Sequence, residues 1–371
     1  MPASLQITGL LRQFGRKIAL NGATLSLEDG AITAILGEAN SGKTTLFNII
    51  AGFDRTYRGA VTLGRTPLDD LAPHHRAFGI VQQKEGFLPN LTLRENIALP
   101  LTLRGKRGAT RDKLIDTTLD LTELTEHANL YPHQATPEIL VRAALARAAA
   151  AEPRIMLIDD PLQNLSGHPR ANVLAIIARL HRMLGATIAL FTRDDETALT
   201  LANSIAILHR GRIIETATPD ALYNHPATAQ IAAMIGPASQ FLGQVVDVED
   251  DTMRIALDCG PEIEAGLYTG ARAGDRCCLF LRPETLALAP QKASEMGEGA
   301  IDATIIEARA TGEKLFFRLL IGSGAEIIVT RPAATGMRGL KPGNQAAIAW
   351  QPHRALVFKE EKTRGFAPGP H

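Results

Sequence analysis

Cysteine is scarce in this chain. Its three cysteines, Cys259 and the adjacent pair Cys277 and Cys278, have no metal-ligand spacing. That favours small buried side chains over a zinc site or a disulfide framework, and it fits a reducing cytoplasm. An excess of one charge is lacking too: 39 basic residues face 39 acidic ones, so composition gives no sign of nucleic-acid binding. No run of about 20 apolar residues occurs, and the opening "MPASLQITGLLRQFGRK" has no continuous apolar stretch. No membrane span or secretory leader is expected, so membrane contact would go through a partner. Aromatic residues are few, but hydrophobic residues make up 45%, an ordinary globular proportion. Disorder is expected only in the tail "RGFAPGPH", Arg364 to His371.

The 371 residues allow two or three domains with separate cores. From Leu5 to Leu36, short apolar segments broken by Gly and Asp lead into a buried-strand pattern, "AITAILG". Helical patterns ("TTLFNIIAG", "RANVLAIIARLHRML") then alternate with strand patterns ("RIMLIDD", "TIALFT") as far as Gly236. The alternation predicts an α/β domain with a parallel sheet over residues 1–236, and the strand-free stretch 88–152 predicts a helical insertion in it. Over 237–371, "GQVVDV", "TMRIALD" and "AEIIVT" predict an all-β domain. Within it "GARAGDRCCLFLRPE" from Gly270 echoes "GLKPGNQAAIAWQPH" from Gly339 at a constant offset (339 − 270 = 69), which points to two related β units.

"GEANSGKT" follows a predicted strand and opens a predicted helix, the setting a phosphate-binding loop requires. Gly37, Glu38, Ala39, Asn40, Ser41 and Gly42 would wrap phosphates with backbone N–H groups, Lys43 would bridge terminal oxygens, Thr44 would hold Mg²⁺, and Thr45 completes the nucleotide-binding run. "RIMLIDD" supplies the acids: Asp159 is placed to hold the metal through water, and Asp160 to polarise an attacking water.

On these motifs the chain resembles the ATP-binding subunits of ABC importers, in the branch with a C-terminal TOBE domain that serves sugar, polyamine and ferric-iron systems. "VQQKEGFLPNLTLRENI" looks like the family's Q-loop, with Gln83 as its nucleotide- and metal-contacting glutamine. "LIDDPLQNLS" looks like Walker B and D-loop, "FTRDDETALTLANSIAILHRGRIIETATPDALYNHP" like the switch region, and Phe14 lies where an aromatic underlies adenine. The resemblance implies a P-loop NTPase with a RecA-like core and helical insertion, then an OB-like TOBE barrel with Trp350 and Phe280 in its core. It implies ATP and Mg²⁺ as ligands, permease subunits and a second ATP-binding subunit as partners, a substrate-binding protein as an indirect one, and a place on the cytoplasmic face of the inner membrane.

Several family positions are changed. The signature Leu-Ser-Gly-Gly-Gln aligns with Ala135, Thr136, Pro137, Glu138 and Ile139, so both glycines are lost, and Glu138 would set a carboxylate where a helix start should welcome phosphate. Asp160 replaces the catalytic glutamate one methylene short, Ser166 the D-loop aspartate, and Arg193 the switch histidine. Groups that act as a unit fail together, so the chain is expected to bind ATP well and hydrolyse it poorly, with a heteromeric partner favoured over a homodimer. Phe87, Leu88 and Leu91 would line the permease-docking groove, or else belong to the core of the insertion. "IGPASQFLG" leans towards a sugar or polyol, and the alternative function is a non-catalytic, nucleotide-responsive regulator.

Overall fold

The computed structural model describes residues 4–82, 86–296, 299–333 and 337–360. Gln83 and the tail Arg364 to His371, both singled out above, lie outside them. The chain divides into two compact units, Met1–Asp220 and Ala221–His371, earlier than the boundary expected at Gly236.

The first unit contains two sheets. One is antiparallel: β1 (Leu5–Phe14), β2 (Lys17–Leu27), β4 (Arg58–Leu63) and β5 (Thr66–Pro67), in the order β2-β1-β4-β5. The other holds β3 (Ile32–Leu36), β6 (Gly79–Val81), β7 (Ile155–Asp159), β8 (Thr187–Thr192) and β9 (Ser204–His209), all parallel, with β10 (Arg212–Ala217) antiparallel at the edge. Its order is β10-β9-β3-β8-β7-β6. Every residue of β3 and β8 is buried, as continuous apolar strands must be in a sheet covered on both faces.

Helix α1 (Lys43–Ala51) follows β3, the short α2 (Pro73–Arg76) precedes β6, and α6 (Gly167–Leu184), α7 (Asp195–Leu201) and α8 (Pro219–Asn224) follow β7, β8 and β10. Between β6 and β7 the described residues form α3 (Leu93–Leu103), α4 (Gly108–Leu121) and α5 (Pro137–Ala149) and no strand. The alanine-rich α5 is a wall shared by two cores. Ala144, Leu145, Ala148 and Ala149 bury against Val81, Met156 and Ile158 of the sheet, while Ala143, Ala146 and Ala150 bury with Leu93, Ile97 and Leu101 of α3. Small side chains on both flanks let backbones approach closely, so α5 has little room to move independently.

The second unit opens within α8, at Ala221, continues with α9 (Ala229–Met234) and contains two five-stranded antiparallel sheets. The first comprises β11 (Ser239–Val248), β12 (Thr252–Leu257), β13 (Glu262–Gly266), β14 (Arg276–Leu281) and β20 (Leu356–Lys359), in the order β13-β12-β11-β14-β20. The second comprises β15 (Ala287–Ala289), β16 (Ile301–Thr311), β17 (Lys314–Ile321), β18 (Ala325–Pro332) and β19 (Gln345–Ala349), in the order β15-β19-β16-β17-β18, with the short α10 (Ala293–Met296) beside it. The echo in the sequence is structural: β14 and β19 begin at the same offset (345 − 276 = 69). Gly274 and Gly343, at φ 88° and 91°, donate their N–H groups to Val245 and Ile305, both at 2.8 Å. A bulge follows each of those acceptors. The halves also exchange ends, since β15 follows β14 yet pairs with β19, and β20 follows β19 yet pairs with β14.

Both sheets feed one core, with Phe241, Met253, Leu279, Phe317 and Ile348 among its members and Trp350 partly buried against it. Phe280 departs from expectation. It is buried, but on the opposite face, under α9 with Ala232 and Cys278. The two adjacent thiols are pushed up to about 11 by burial, so both are inert, space-filling groups.

Arg282, 2% exposed, lies over the Tyr223 ring at 4.4 Å and donates to the carbonyls of Ile235 and Gly236, fastening the segment from α8 to α9 onto β14. Arg282→Met is expected to cost the second unit about 2 kcal/mol through lost charge-assisted hydrogen bonds. The sole tryptophan, Trp350, reports this as an earlier denaturant midpoint in fluorescence. An unchanged midpoint would show that the arginine fastens nothing of consequence.

Candidate functional site

The loop from Gly37 to Gly42 leaves β3 and enters α1. A Cβ at Gly37 would lie 2.4 Å from the Leu208 carbonyl oxygen, and one at Gly42 would lie 2.5 Å from that of Ala19, so neither position admits a side chain. Gly42 also sits at φ 110°, and Asn40 at φ 63°, where asparagine is among the better-tolerated residues. Glu38, Ala39, Asn40 and Thr44 are exposed, Thr45 is half-buried, and the Lys43, Thr44 and Thr45 amides form the unpaired first turn of a helix. The buried Lys43 ammonium donates to the carbonyls of Gly37 and Glu38 and to Ser41 Oγ, so the loop is closed over one positive charge. Small residues, convergent amides and an ammonium fit a triphosphate.

The carboxyl end of β8 holds the loop and the acids together. The Thr192 carbonyl accepts from Gly37 N at 3.3 Å, and the Phe191 carbonyl accepts from Asp160 N at 2.8 Å. Lys43, Asp159, Asp160 and Arg193 fall within electrostatic reach of one another. Burial, with Asp160 beside it, raises Asp159 from 3.8 to about 6. Burial, with Arg193 beside it, lowers Lys43 from 10.5 to about 8. Asp160 is also raised, by burial above all, against the pull of Arg193 and Lys43. Its φ of 43° is a left-handed conformation that aspartate enters more readily than glutamate, so the shortened acid suits its backbone. Arg193 is exposed at the end of β8, and Asp194 next to it caps α7 by accepting from Thr197 N at 2.9 Å.

Phe14 ends β1 and is 49% exposed, with the Arg12 guanidinium 4.0 Å above its ring and Arg12 itself paired with Asp54 at 2.7 Å. One ring face is thereby covered. The hairpin that carries Phe14 is tied to the loop through the turn at Gly211, which donates to the Ser41 carbonyl and accepts from Asn21 N, both at 2.8 Å.

The start of α5 resolves the problem that Glu138 poses. Thr136 is the N-cap, its hydroxyl accepting from Ile139 N at 3.4 Å, and Pro137 opens the helix. Glu138 is not aimed outward as a bare charge. Asn172 of α6 donates to its carboxylate at 2.7 Å and Arg142, one turn on, lies at 3.4 Å, while Arg142 also donates to the Thr122 and Glu123 carbonyls. The helix start carries its own paired anion. The Glu138/Arg142 spacing is legible as an i, i+4 pair. The part played by Asn172, 34 residues on, is not legible without the fold.

The family models match twice: "ABC transporter" over residues 20–163 and "TOBE domain" over 279–358. A spermidine/putrescine import ATP-binding protein of Treponema pallidum is 33% identical over 76% of each chain. A protein of the same name from Thermotoga maritima is 31% identical, covering 92% of this chain and 94% of its own. A putative 2-aminoethylphosphonate import ATP-binding protein of Salmonella typhi is 31% identical, covering 96% and 97%. Among solved structures, the dimeric cassette MJ0796 bound to ADP and Pi matches with a TM-score of 0.52 at 28% identity, covering 58% of this chain and 98% of that one. These relatives bring ATP and Mg²⁺ as ligands of a site whose residues fit them.

The raised pKa of Asp159 bears on the metal that this carboxylate is expected to hold. The folded chain takes up this proton at a higher pH than the unfolded one, so the metal-free fold loses that stability as pH climbs from about 4 through about 6. Mg²⁺ needs the ionised form. The ratio of ATP affinities with Mg²⁺ and with EDTA is expected to fall below pH 6, and Asp159→Asn to flatten it. A ratio with the same pH dependence in Asp159→Asn would remove Asp159 from the metal site.

Proposed function

This chain belongs to the ATP-binding subunits of ABC importers, and from that premise we propose that it binds Mg-ATP firmly, turns it over slowly, and leaves most of the hydrolysis to a second, non-identical ATP-binding subunit. The observation that carries this reading is the contrast between the intact loop from Gly37 to Thr44 and the start of α5, where Glu138 is fixed by Asn172 and Arg142. Lys43 and the loop amides bind and orient the phosphates. Mg²⁺, when bound, neutralises charge on their oxygens, with Thr44 and Asp159 to hold it. Asp160 is left to orient water through a side chain one methylene short, and offsets of about 1 Å cost on the order of a hundredfold in rate. Arg193 holds negative charge electrostatically, with a planar guanidinium in place of the imidazole expected there.

In paired cassettes each nucleotide is enclosed by the loop of one chain and the signature helix of the other. A homodimer of this chain would place Glu138 opposite both phosphate sites. A heterodimer would place it opposite only one. Docking to a permease is supported by the segment after Gln83, where Leu88 is exposed and Phe87 and Leu91 are half-buried.

For the solute we favour a small aminoalkyl compound. Spermidine, putrescine and 2-aminoethylphosphonate, named for the relatives, all carry a primary amine, and none is a sugar or polyol. Cells lacking this chain are expected to lose uptake of labelled putrescine or 2-aminoethylphosphonate while mannitol uptake is unchanged. Loss of mannitol uptake alone would return the assignment to polyols.

Phosphate release decides the catalytic half. The purified chain is expected to bind Mg-ATP, with slow release abolished in Lys43→Ala and raised about tenfold or more in Asp160→Glu despite the backbone's preference for aspartate. Fast release by the unaltered chain alone would sink the proposal of an impaired subunit.

A further inference from the structure

Helix α5 holds the described segment that follows Gln83, with Phe87 packed against both cores that the helix serves. Arg147 donates from Nη1 to the Gly86 carbonyl at 3.0 Å and places its guanidinium 4.6 Å from the centre of the Phe87 ring. At the far end of the same segment Asn96, fully buried in α3, accepts from Leu88 N at 2.8 Å and donates to the Leu88, Leu91 and Thr92 carbonyls at 3.1, 3.1 and 3.0 Å. Residues 86–91 therefore form no helix or strand, yet they are pinned at both ends by side chains from two different helices.

The two pins differ in what stands behind them. Asn96 stands on α3, which packs on α5 through Leu93, Ile97 and Leu101. Arg147 stands on α5, whose buried alanines lie directly against β6 and β7, the strands that end at Val81 and Asp159. Glu138, nine residues before Arg147 (147 − 138 = 9), lies on the same rigid helix. A shift of β7, whose end carries Asp159, therefore reaches Arg147 directly through α5, and reaches Asn96 only through α5 and α3 in turn. We propose that Arg147 is the positioning residue that conveys the nucleotide state from β6, β7 and α5 to the docking segment, through its bond to Gly86 and its stacking on Phe87. The proposal rests on the reading of this chain as an ATP-binding subunit with a permease-docking segment, and it identifies which side chain links the two sites.

The test is amide hydrogen exchange on the full chain, with and without Mg-ATP, beside a nucleotide Kd measured on the same samples. Without nucleotide, Arg147→Met is expected to speed exchange at the Leu88 and Leu91 amides about tenfold while the amides of α5 keep their protection. Arg147→Lys, which keeps a cation over Phe87, is expected to recover part of it. With Mg-ATP the unaltered chain is expected to slow exchange at those two amides. Arg147→Met is expected to lose that response with Kd unchanged within about twofold. Unchanged exchange in Arg147→Met, loss of protection throughout α5, or a nucleotide response that survives the substitution would each overturn the proposal. Failure of the unaltered chain to bind Mg-ATP would instead strike at the nucleotide-binding reading, and the exchange without nucleotide would still judge the latch.

Discussion

Two backbone carbonyls at the end of β8 are the constraint on which the site depends. Thr192 takes the first amide of the phosphate loop and Phe191 takes the amide of Asp160, so one strand end fixes the distance between the anion cradle and the acids. Side chains contribute little to this, because the bonds are main-chain and the strand is buried along its whole length. The next residue is Arg193. A substitution there changes the charge offered to the site without loosening the loop or the acid. The scaffold can therefore keep its geometry while its chemistry changes, a separation that the complete burial of β8 makes possible.

Helix α5 imposes the second constraint. Alanines on two flanks let it serve the sheet core and the helical insertion at once, and the cost is that it has no slack. A charge at its first turn must then be satisfied locally. Glu138 achieves this through Arg142 and Asn172, and Arg142 in turn closes the turn at Thr122 and Glu123. The carboxylate thus performs for this helix the service that a bound anion performs elsewhere, completing the positive end of the dipole.

How much of this was legible in the sequence follows from the range of each interaction. The phosphate loop, α1, β7 and α5 with its Thr136 cap were readable because their signals lie within a few residues. The duplicated β unit was readable from a repeat of Gly and Pro at one offset, since turns with φ near 90° demand glycine. The exchange of β15 and β20 between the halves was not, because pairing across more than 50 residues leaves no local trace. Phe280 was misplaced for a related reason. The alternation that puts Leu279 and Leu281 in the core puts Phe280 on the outer face, and only α9 makes that face apolar. Likewise Asn172 and the Gly211 turn act on the site from far along the chain.

The same difference in range bears on why binding and turnover come apart in the proposed function. The groups proposed to grip phosphate are consecutive in sequence and braced by each other, and a side chain at Gly37 or Gly42 meets a steric wall, the Leu208 or the Ala19 carbonyl. The groups proposed to align water and close the second chain's site sit on separate segments: the end of β7, the end of β8 and the start of α5. Each of those positions is supported by backbone or by its own local partners, so each tolerates a new side chain without disturbing the cradle. In the proposed function, the two glycines of the loop keep the cradle's shape by steric necessity, whereas turnover depends on several independently replaceable side chains. In a paired assembly where another subunit supplies those side chains, nothing in the packing of this chain resists their loss.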